Sequence, residues 1–102
     1  MLELLHKLVL GEALAPASRE QLGKWLVGNK LGGKRLRAGL PKDWRVGDKT
    51  GTGEHNATND VAVIWPPSRA PLIVTAYYAE AEAPDDARNA VLADIGRLVA
   101  TV

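Results

Sequence analysis

Three runs of strand-forming residues place the strongest constraint on what this chain can fold into. The first alternates apolar and polar residues from Trp44 onward, whereas residues 60–65 are nearly all apolar and Leu72–Tyr78 is rich in residues favoured in strands, with apolar residues at successive positions in both. Alternation is typical of a strand with one buried face, and a continuous apolar run indicates burial on both faces. We therefore predict a three-stranded antiparallel meander covered on two faces, with connections at residues 54–59 and 66–71.

Helices are predicted before and after these runs. Apolar residues recur at helical spacing from Leu2 to Val9, and Pro16 suits the first turn of a second helix ending near Gly28. A final helix is predicted to begin at Pro84, with Asp85 in its first turn. The sequence thus indicates an α+β fold in which helices flank the sheet, with residues 1–102 forming one domain.

The apolar stripes of these helices predict which side chains are buried. In the second helix we expect a stripe of Leu22, Trp25 and Leu26. In the final helix we expect the side facing the sheet to carry Ala87, Val91, Ile95, Leu98 and Val102. Residues 30–43, rich in glycine and basic side chains, are expected to be irregular surface chain.

Composition excludes several classes of function. Among the 102 residues, 46% are hydrophobic and 25% are charged, which is typical of a soluble globular domain. The net charge is +1, and the one basic cluster lacks interleaved aromatic residues, so we expect no nucleic-acid partner. No apolar run approaches a bilayer span, and we expect no membrane partner. The chain has no cysteine, and His6 has no companions at ligand spacing, so we expect no metal and no cofactor.

The first strand ends in the stretch with candidate chemistry: Asp48-Lys49-Thr50-Gly51-Thr52-Gly53. A cationic side chain next to hydroxyl groups and glycine backbone suits an anionic ligand, above all a carboxylate. The competing interpretation is a glycine-rich turn with a solvated lysine. The same letters occur in the phosphorylation loop of P-type ion pumps, but that loop continues Leu-Thr after a parallel strand. Here Gly53-Glu54 follows within a predicted meander, which argues against a pump.

With its Lys-Thr-Gly box, most of the chain resembles the C-terminal portion of class A serine β-lactamases. The segments that carry the resemblance are residues 7–14, residues 17–22 with Trp25, residues 36–41, residues 44–53 and residues 58–66. The resemblance implies that the meander and its flanking helices are the C-terminal part of a β-lactamase-like fold. It also implies hydrolysis of a β-lactam amide through an acyl-serine by the parent enzyme.

The resemblance assigns a role to the box and its neighbours. Lys49, Thr50 and Gly51 match the box itself, in which lysine and threonine engage the carboxylate of the β-lactam. Thr52 matches the position whose backbone N–H forms part of the oxyanion hole. Many members carry an arginine on the next strand to assist carboxylate binding, but the matching residue here is Thr58. Arg35 falls where members lacking that arginine often carry a substitute, although it could equally be one more charge in a solvated run.

Other polar residues near the box carry less weight. Asn89 matches a position near the carboxylate-binding group in some members, but a polar residue early in a helix is often simply exposed. Asp48 is expected to be structural, since a carboxylate beside Lys49 tends to orient or neutralise it. Glu54 and His55 lie on a loop that could contact a substrate side chain.

The chain departs from the family in lacking a nucleophile. Neither Ser18 nor Ser68 is followed by lysine three residues later, and no Ser-Asp-Asn occurs. The deacylating glutamate of the family would lie upstream of Leu2. We therefore assign no catalytic residue to this chain, and we expect it not to turn over substrate alone. Because nothing caps the first helix, we expect upstream sequence to be missing.

The third run predicts how the chain finds a partner. In the family, an N-terminal strand pairs with the segment matching Leu72–Tyr78, which leaves a long apolar edge here. Three interpretations follow: the C-terminal piece of a split or cleaved β-lactamase, a truncated product that self-associates through this edge, or a small fold repurposed for anion binding. The resemblance places the parent enzyme in the periplasm or outside the cell, although Met1 begins no signal peptide.

Overall fold

The computed structural model describes residues 1–80 and 82–102 and contains one sheet of three antiparallel strands. Strands β1 (Arg45–Gly53), β2 (Ala57–Trp65) and β3 (Leu72–Tyr78) lie side by side in chain order. Lys49 is opposite Val61 in the first pair, and Val61 is opposite Thr75 in the second. The predicted meander is thus confirmed, and β1 and β3 are its edges.

Four helical elements surround the sheet. Helix α1 (Leu2–Leu5) continues into a π-helical segment (His6–Leu10), which ends at Gly11. Helix α2 (Pro16–Val27) has proline in its first turn, as predicted, and α4 (Asp85–Val99) follows the sheet. A one-turn helix, α3 (Leu36–Gly39), corrects the prediction that residues 30–43 are irregular throughout. None of the described helices has the length and apolar character needed to cross a membrane.

Each face of the sheet carries its own hydrophobic cluster. On one face, Leu36 of α3 and Leu92 of α4 pack with Val46, Ala62 and Ile64. On the other face, Leu5, Val9 and Leu26 from the helices that precede the sheet pack with Val63 of β2. Because successive residues of a strand point to opposite faces, the continuous apolar run of β2 serves both clusters. The prediction of a sheet covered on two faces is confirmed.

The β1–β2 connection is shorter than predicted. Both strands extend to a turn in which the Ala57 N–H donates to Glu54 O at 3.1 Å. The two central residues, His55 and Asn56, have φ values of 57° and 58°. Two left-handed residues define a type I′ turn, whose twist matches that of the flanking strands. This geometry lets pairing continue to Ala57, so the predicted six-residue loop was wrong.

The buried faces of α2 and α4 also differ from prediction. In α2, Leu26 is buried but Trp25 is 68% exposed. In α4, Ala87, Val91, Leu98 and Val102 of the predicted stripe are exposed, and only Ile95 packs against the core. The buried residues of that helix are Arg88, Leu92, Ala93 and Gly96. The helix turns its small and cationic residues inward, which a search for apolar side chains overlooks.

Helices α3 and α4 approach each other backbone to backbone. A Cβ atom on Gly39 would overlap the carbonyl oxygen of Ala93, and one on Gly96 would overlap that of Leu36. Glycine at both positions lets the two helices pack at a separation that no side chain would permit. This contact fixes α3, and with it the chain on either side of α3, against α4.

Candidate functional site

The Lys-Thr-Gly box lies on β1, and β2 is its only strand neighbour within residues 1–80 and 82–102. The Lys49 side chain is exposed, and its Nζ donates to Thr50 O at 2.7 Å. No carboxylate of the described chain lies within ion-pair distance of that ammonium group. By strand alternation, Thr50 and Thr52 lie on the opposite face of β1 from Lys49.

Arg35 precedes α3 and extends its guanidinium beneath the end of β1. Its Nη2 donates to Thr52 Oγ1 at 2.7 Å, and Nη1 donates to Gly51 O at 3.1 Å and Asn59 O at 2.7 Å. The side chain is 9% exposed and makes no ion pair with any carboxylate among the described residues. The alternative in which Arg35 is one more solvated charge is therefore wrong.

Asn89 links the same guanidinium to α4. Its Oδ1 accepts a hydrogen bond from Arg35 Nε at 2.9 Å. With this bond, contacts from two strands and one helix orient Arg35, so its rotamer is largely fixed. Asn89 is half-buried rather than exposed. The family match to a position near the carboxylate-binding group gave a hint of a role for Asn89, but the contact itself depends on tertiary structure.

Asp48 faces away from Lys49, which corrects the expectation that the two side chains would pair. Its carboxylate is fully buried, and Oδ1 accepts from Arg37 Nε at 2.7 Å and from Asn29 Nδ2 at 3.3 Å. Arg37 also donates through Nη2 to Leu26 O at 2.9 Å and Val27 O at 3.1 Å. Asp48 thus joins β1 to the end of α2 and to α3, and its role is structural, as predicted.

Asp60 is a buried polar residue that the sequence analysis treated only as the start of a strand. Its carboxyl group is fully buried, and Oδ2 accepts from Leu36 N–H at 3.2 Å. Burial, together with a hydrogen bond that protonated Asp60 donates to Asp48 and repulsion by the Asp48 charge, raises the pKa of Asp60 to about 8. The sequence contained one signal for this residue, an aspartate next to the apolar run of a strand. A charged side chain is rarely buried without a partner, so such a position indicates a special environment.

Arg88 is a second residue near the candidate site that the sequence analysis did not single out. Its Nε donates to Thr58 Oγ1 at 3.1 Å, its Nη1 donates to Ala83 O at 2.6 Å, and Nη2 pairs with Asp85. Thr58, the residue at the family's arginine position, is therefore buried and held from within α4. Arg88 fastens the first turn of α4 to β2, next to the Asn89 contact with Arg35.

Replacing Arg88 with methionine is expected to lower the free energy of unfolding by about 2 kcal/mol. The change removes the donors to Thr58 Oγ1 and Ala83 O while keeping most of the apolar stem. Arg97→Met is the matched control, because Arg97 also pairs with an aspartate three residues earlier but is 61% exposed, against 8% for Arg88. The control should change stability by less than about 0.5 kcal/mol. Urea unfolding measures both, and equal effects would contradict this assignment.

The structure brings some of the predicted residues together and separates others. Arg35, Gly51 and Thr52 are in direct contact, and Lys49 and Thr50 adjoin them on β1. Glu54 and His55 lie in the exposed turn beyond the end of the strand. Roles in substrate binding for Lys49, Thr50, Gly51, Thr52 and Arg35 stay predictions. The described residues include no cluster of three or more side chains suited to a metal ion.

Comparison with known proteins assigns the chain to a family. Residues 1–102 match the model of the β-lactamase enzyme family. A β-lactamase of Citrobacter koseri is 52% identical over 99 residues, and β-lactamase CTX-M-6 of Salmonella typhimurium is 48% identical over 99 residues. Each alignment covers 97% of this chain but 34% of the relative, so the chain spans about a third of their length.

A solved structure agrees with these matches in both sequence and fold. An ancestral class A β-lactamase, GNCA, is 64% identical and superposes with a TM-score of 0.97. The superposition covers 99% of this chain and 39% of the ancestral enzyme. The arrangement of three strands and flanking helices is therefore that of the corresponding part of a class A enzyme. This chain belongs to the β-lactamase enzyme family, and within it to class A.

Proposed function

We propose that this chain supplies the carboxylate-binding and oxyanion side of a site that hydrolyses β-lactams through an acyl-serine. The observation that carries the proposal is the buried Arg35 guanidinium beneath the end of β1, held against Thr52. Lys49 adds a second cation with no carboxylate partner in the described chain. Lys49 and the Arg35–Thr52 pair lie on opposite faces of β1, and a carboxylate at the unpaired edge of this strand would be attracted by both cations.

Each residue then has a distinct task in the reaction. Lys49 and Thr50 hold the carboxylate, and Arg35 orients the Thr52 hydroxyl while adding positive potential. The Thr52 N–H stabilises the oxyanion that forms when a serine attacks the lactam carbonyl. The amide C–N bond then breaks to give an ester, and water hydrolyses that ester. The serine and its bases belong to sequence outside this chain, so the chain alone should not catalyse turnover.

The segment that completes the site is proposed to pair with β3. This strand is hydrogen-bonded to β2 along one edge, and no other described strand lies along its second edge. An unpaired edge of seven residues is a template for a further strand. The partner is therefore the N-terminal part of a β-lactamase, and by family resemblance the complete enzyme is periplasmic or secreted.

Reconstitution tests the proposal directly. The chain is coexpressed with the portion of the Citrobacter koseri β-lactamase that precedes the matched region, and light scattering gives the mass of each chromatographic fraction. Hydrolysis of a chromogenic cephalosporin is expected only in fractions that contain both polypeptides. A stable complex of both that neither binds nor hydrolyses the cephalosporin would overturn the proposal.

A second candidate function rests on the same open edge. The chain could be a non-catalytic domain that self-associates through Leu72–Tyr78, with Arg35 and Lys49 at most holding an anion. The exposure of Tyr77, at 61%, favours a contact on this strand. Light scattering of the chain alone distinguishes the two functions. An oligomer that Val74→Lys dissociates and that the N-terminal part of a β-lactamase cannot displace would favour self-association.

A further inference from the structure

We propose that Asp60 is a positioning residue for this site: its carboxyl group stays protonated, donates a hydrogen bond to Asp48, and thereby holds Arg35 in place. The effect on carboxylate binding near Arg35 rests on the proposed function. The proton shared by Asp60 and Asp48 rests on the geometry of the chain alone. The two are tested separately.

Strand pairing brings the two carboxyl groups together. Asp48 is opposite Ala62, and Asp60 is opposite Thr50, so the aspartates are diagonal neighbours on one face of the β1–β2 pair. Both side chains are fully buried. The α-carbon of Gly32 packs against the Asp48 carboxyl group, where any Cβ would overlap it. Water therefore has little access from that side.

Counting hydrogen bonds leaves one oxygen of each carboxyl group unsatisfied. Asp48 Oδ1 accepts from Arg37 and Asn29, and Asp60 Oδ2 accepts from the Leu36 N–H. Asp48 Oδ2 and Asp60 Oδ1 are buried, and no N–H or hydroxyl group of the described residues donates to either. Two ionised carboxylates would face each other unsatisfied at high energetic cost. A single proton shared by the two carboxyl groups would remove one of these charges and supply a hydrogen bond between them.

The surrounding charges decide which aspartate carries the proton. Asp48 has a direct ion pair with Arg37, which stabilises its ionised form. The charge of Arg35 lowers the pKa of Asp60, but less than burial and Asp48 raise it, because Arg35 directs its donors to Gly51, Thr52, Asn59 and Asn89 and forms no ion pair with Asp60. Lys49 is on the other face of β1, Arg88 of α4 is bound to Thr58, and β3 contributes Ala76 opposite Asp60. The neutral group is therefore Asp60, and its raised pKa agrees.

The pair acts on the site through Leu36. Its N–H is fixed by Asp60, and the residue immediately before it is Arg35. Ionising Asp60 places its negative charge beside that of Asp48 beneath β1. Repulsion between the two carboxylates displaces the Asp60 side chain, which accepts from the Leu36 N–H, and so loosens the backbone that carries Arg35. We expect carboxylate binding to weaken as pH rises through about 8, which is the pKa of Asp60. This loss requires no change in Arg35 itself.

The first test follows the proton in the purified chain. The pKa of Asp60 is raised from 3.8 to about 8, so folding takes up a proton between these pH values. Stability from this group is complete below about pH 4 and is lost as pH approaches 8. Relative to Asp60→Asn, the unfolding constant of the unmodified chain should rise by up to about tenfold per pH unit. Carbon NMR should give an Asp60 midpoint near pH 8, whereas a midpoint near 4 would overturn the proposal.

The second test separates positioning from packing. Asparagine can donate to Asp48 and accept from Leu36, whereas leucine fills the space without either bond. Asp60→Asn should retain slow exchange of the Leu36 amide and an unshifted Arg35 Nε–H resonance, and Asp60→Leu should lose both. Exposed Asp94→Asn is the control and should change neither. Equal protection in the asparagine and leucine variants would overturn the proposal. A failed reconstitution, by contrast, would leave these NMR results unchanged.

Discussion

Replacing Lys49 with alanine is expected to lower kcat/KM of the reconstituted enzyme by about 10³-fold while leaving the fold intact. The Lys49 side chain is exposed and pairs with no carboxylate of the described chain, so its removal leaves no buried group unsatisfied. The loss arises because the substrate carboxylate no longer meets a fixed positive charge near the reacting amide. Steady-state kinetics with a chromogenic cephalosporin measure the effect.

Lys42→Ala is the matched control for this experiment. Lys42 is also exposed, but it precedes β1 and lies outside the strand that carries the Lys-Thr-Gly box. The control should change kcat/KM by less than about threefold. It removes the same charge from the chain, but that charge does not contact the substrate carboxylate. If both variants kept full activity, Lys49 would not be the carboxylate anchor. If Lys49→Ala also lowered the unfolding midpoint, the kinetic loss would have a structural cause.

Replacing Gly96 with alanine is expected to destabilise the chain by about 3 kcal/mol. The new Cβ would overlap the Leu36 carbonyl oxygen, and backbone atoms on both sides leave little room to adjust. The clash forces α3 away from α4, and because Leu36 is fully buried its cluster opens as well. Urea unfolding followed by circular dichroism measures the loss.

Gly23→Ala provides the control, because Gly23 is also in a helix interior. A Cβ at that position meets nothing within 4 Å, and alanine favours the helix over glycine. We expect this variant to gain about 0.5 to 1 kcal/mol. A Gly96→Ala protein as stable as Gly23→Ala would show that α3 and α4 can separate without cost. If Gly96→Ala destabilises the chain while Gly23→Ala stabilises it, the loss arises from the close contact between α3 and α4.

The sheet was predictable from the sequence because its signal is local. Alternation and continuous apolar runs report directly which faces of a strand are buried, so the order and the two-sided cover of the strands followed. The type I′ turn was missed because His55 is an uncommon residue at positive φ, and the strand ends therefore read as loop. The face of α4 was missed for a different reason. Gly96 is buried for its small size and Arg88 for its hydrogen bonds, and neither property is hydrophobicity.

The candidate site was predictable only in part. The Lys-Thr-Gly box is contiguous, and family resemblance pointed to Arg35, which contacts Thr52 of the box's strand. Asp48, Asp60 and Arg37 are far apart in the sequence, and their contact depends on strand register and on the position of α3. No local pattern encodes that register. The one indication in the sequence was a lone aspartate, Asp60, in an apolar strand. Its meaning became clear only once the register placed Asp48 of the neighbouring strand beside it.

The hydrogen bond from Glu80 N–H to His55 O, at 2.6 Å, ties the β1–β2 turn to the chain that follows β3. An engineered tag or fluorescent label inserted at His55 would therefore disturb two connections, although the position looks like an ordinary exposed hairpin tip. The connection between β2 and β3 is the better attachment point for such a probe. Residues 67–71 there are exposed and lie at the end of the sheet opposite the β1–β2 turn, so a fused reporter would leave that turn undisturbed.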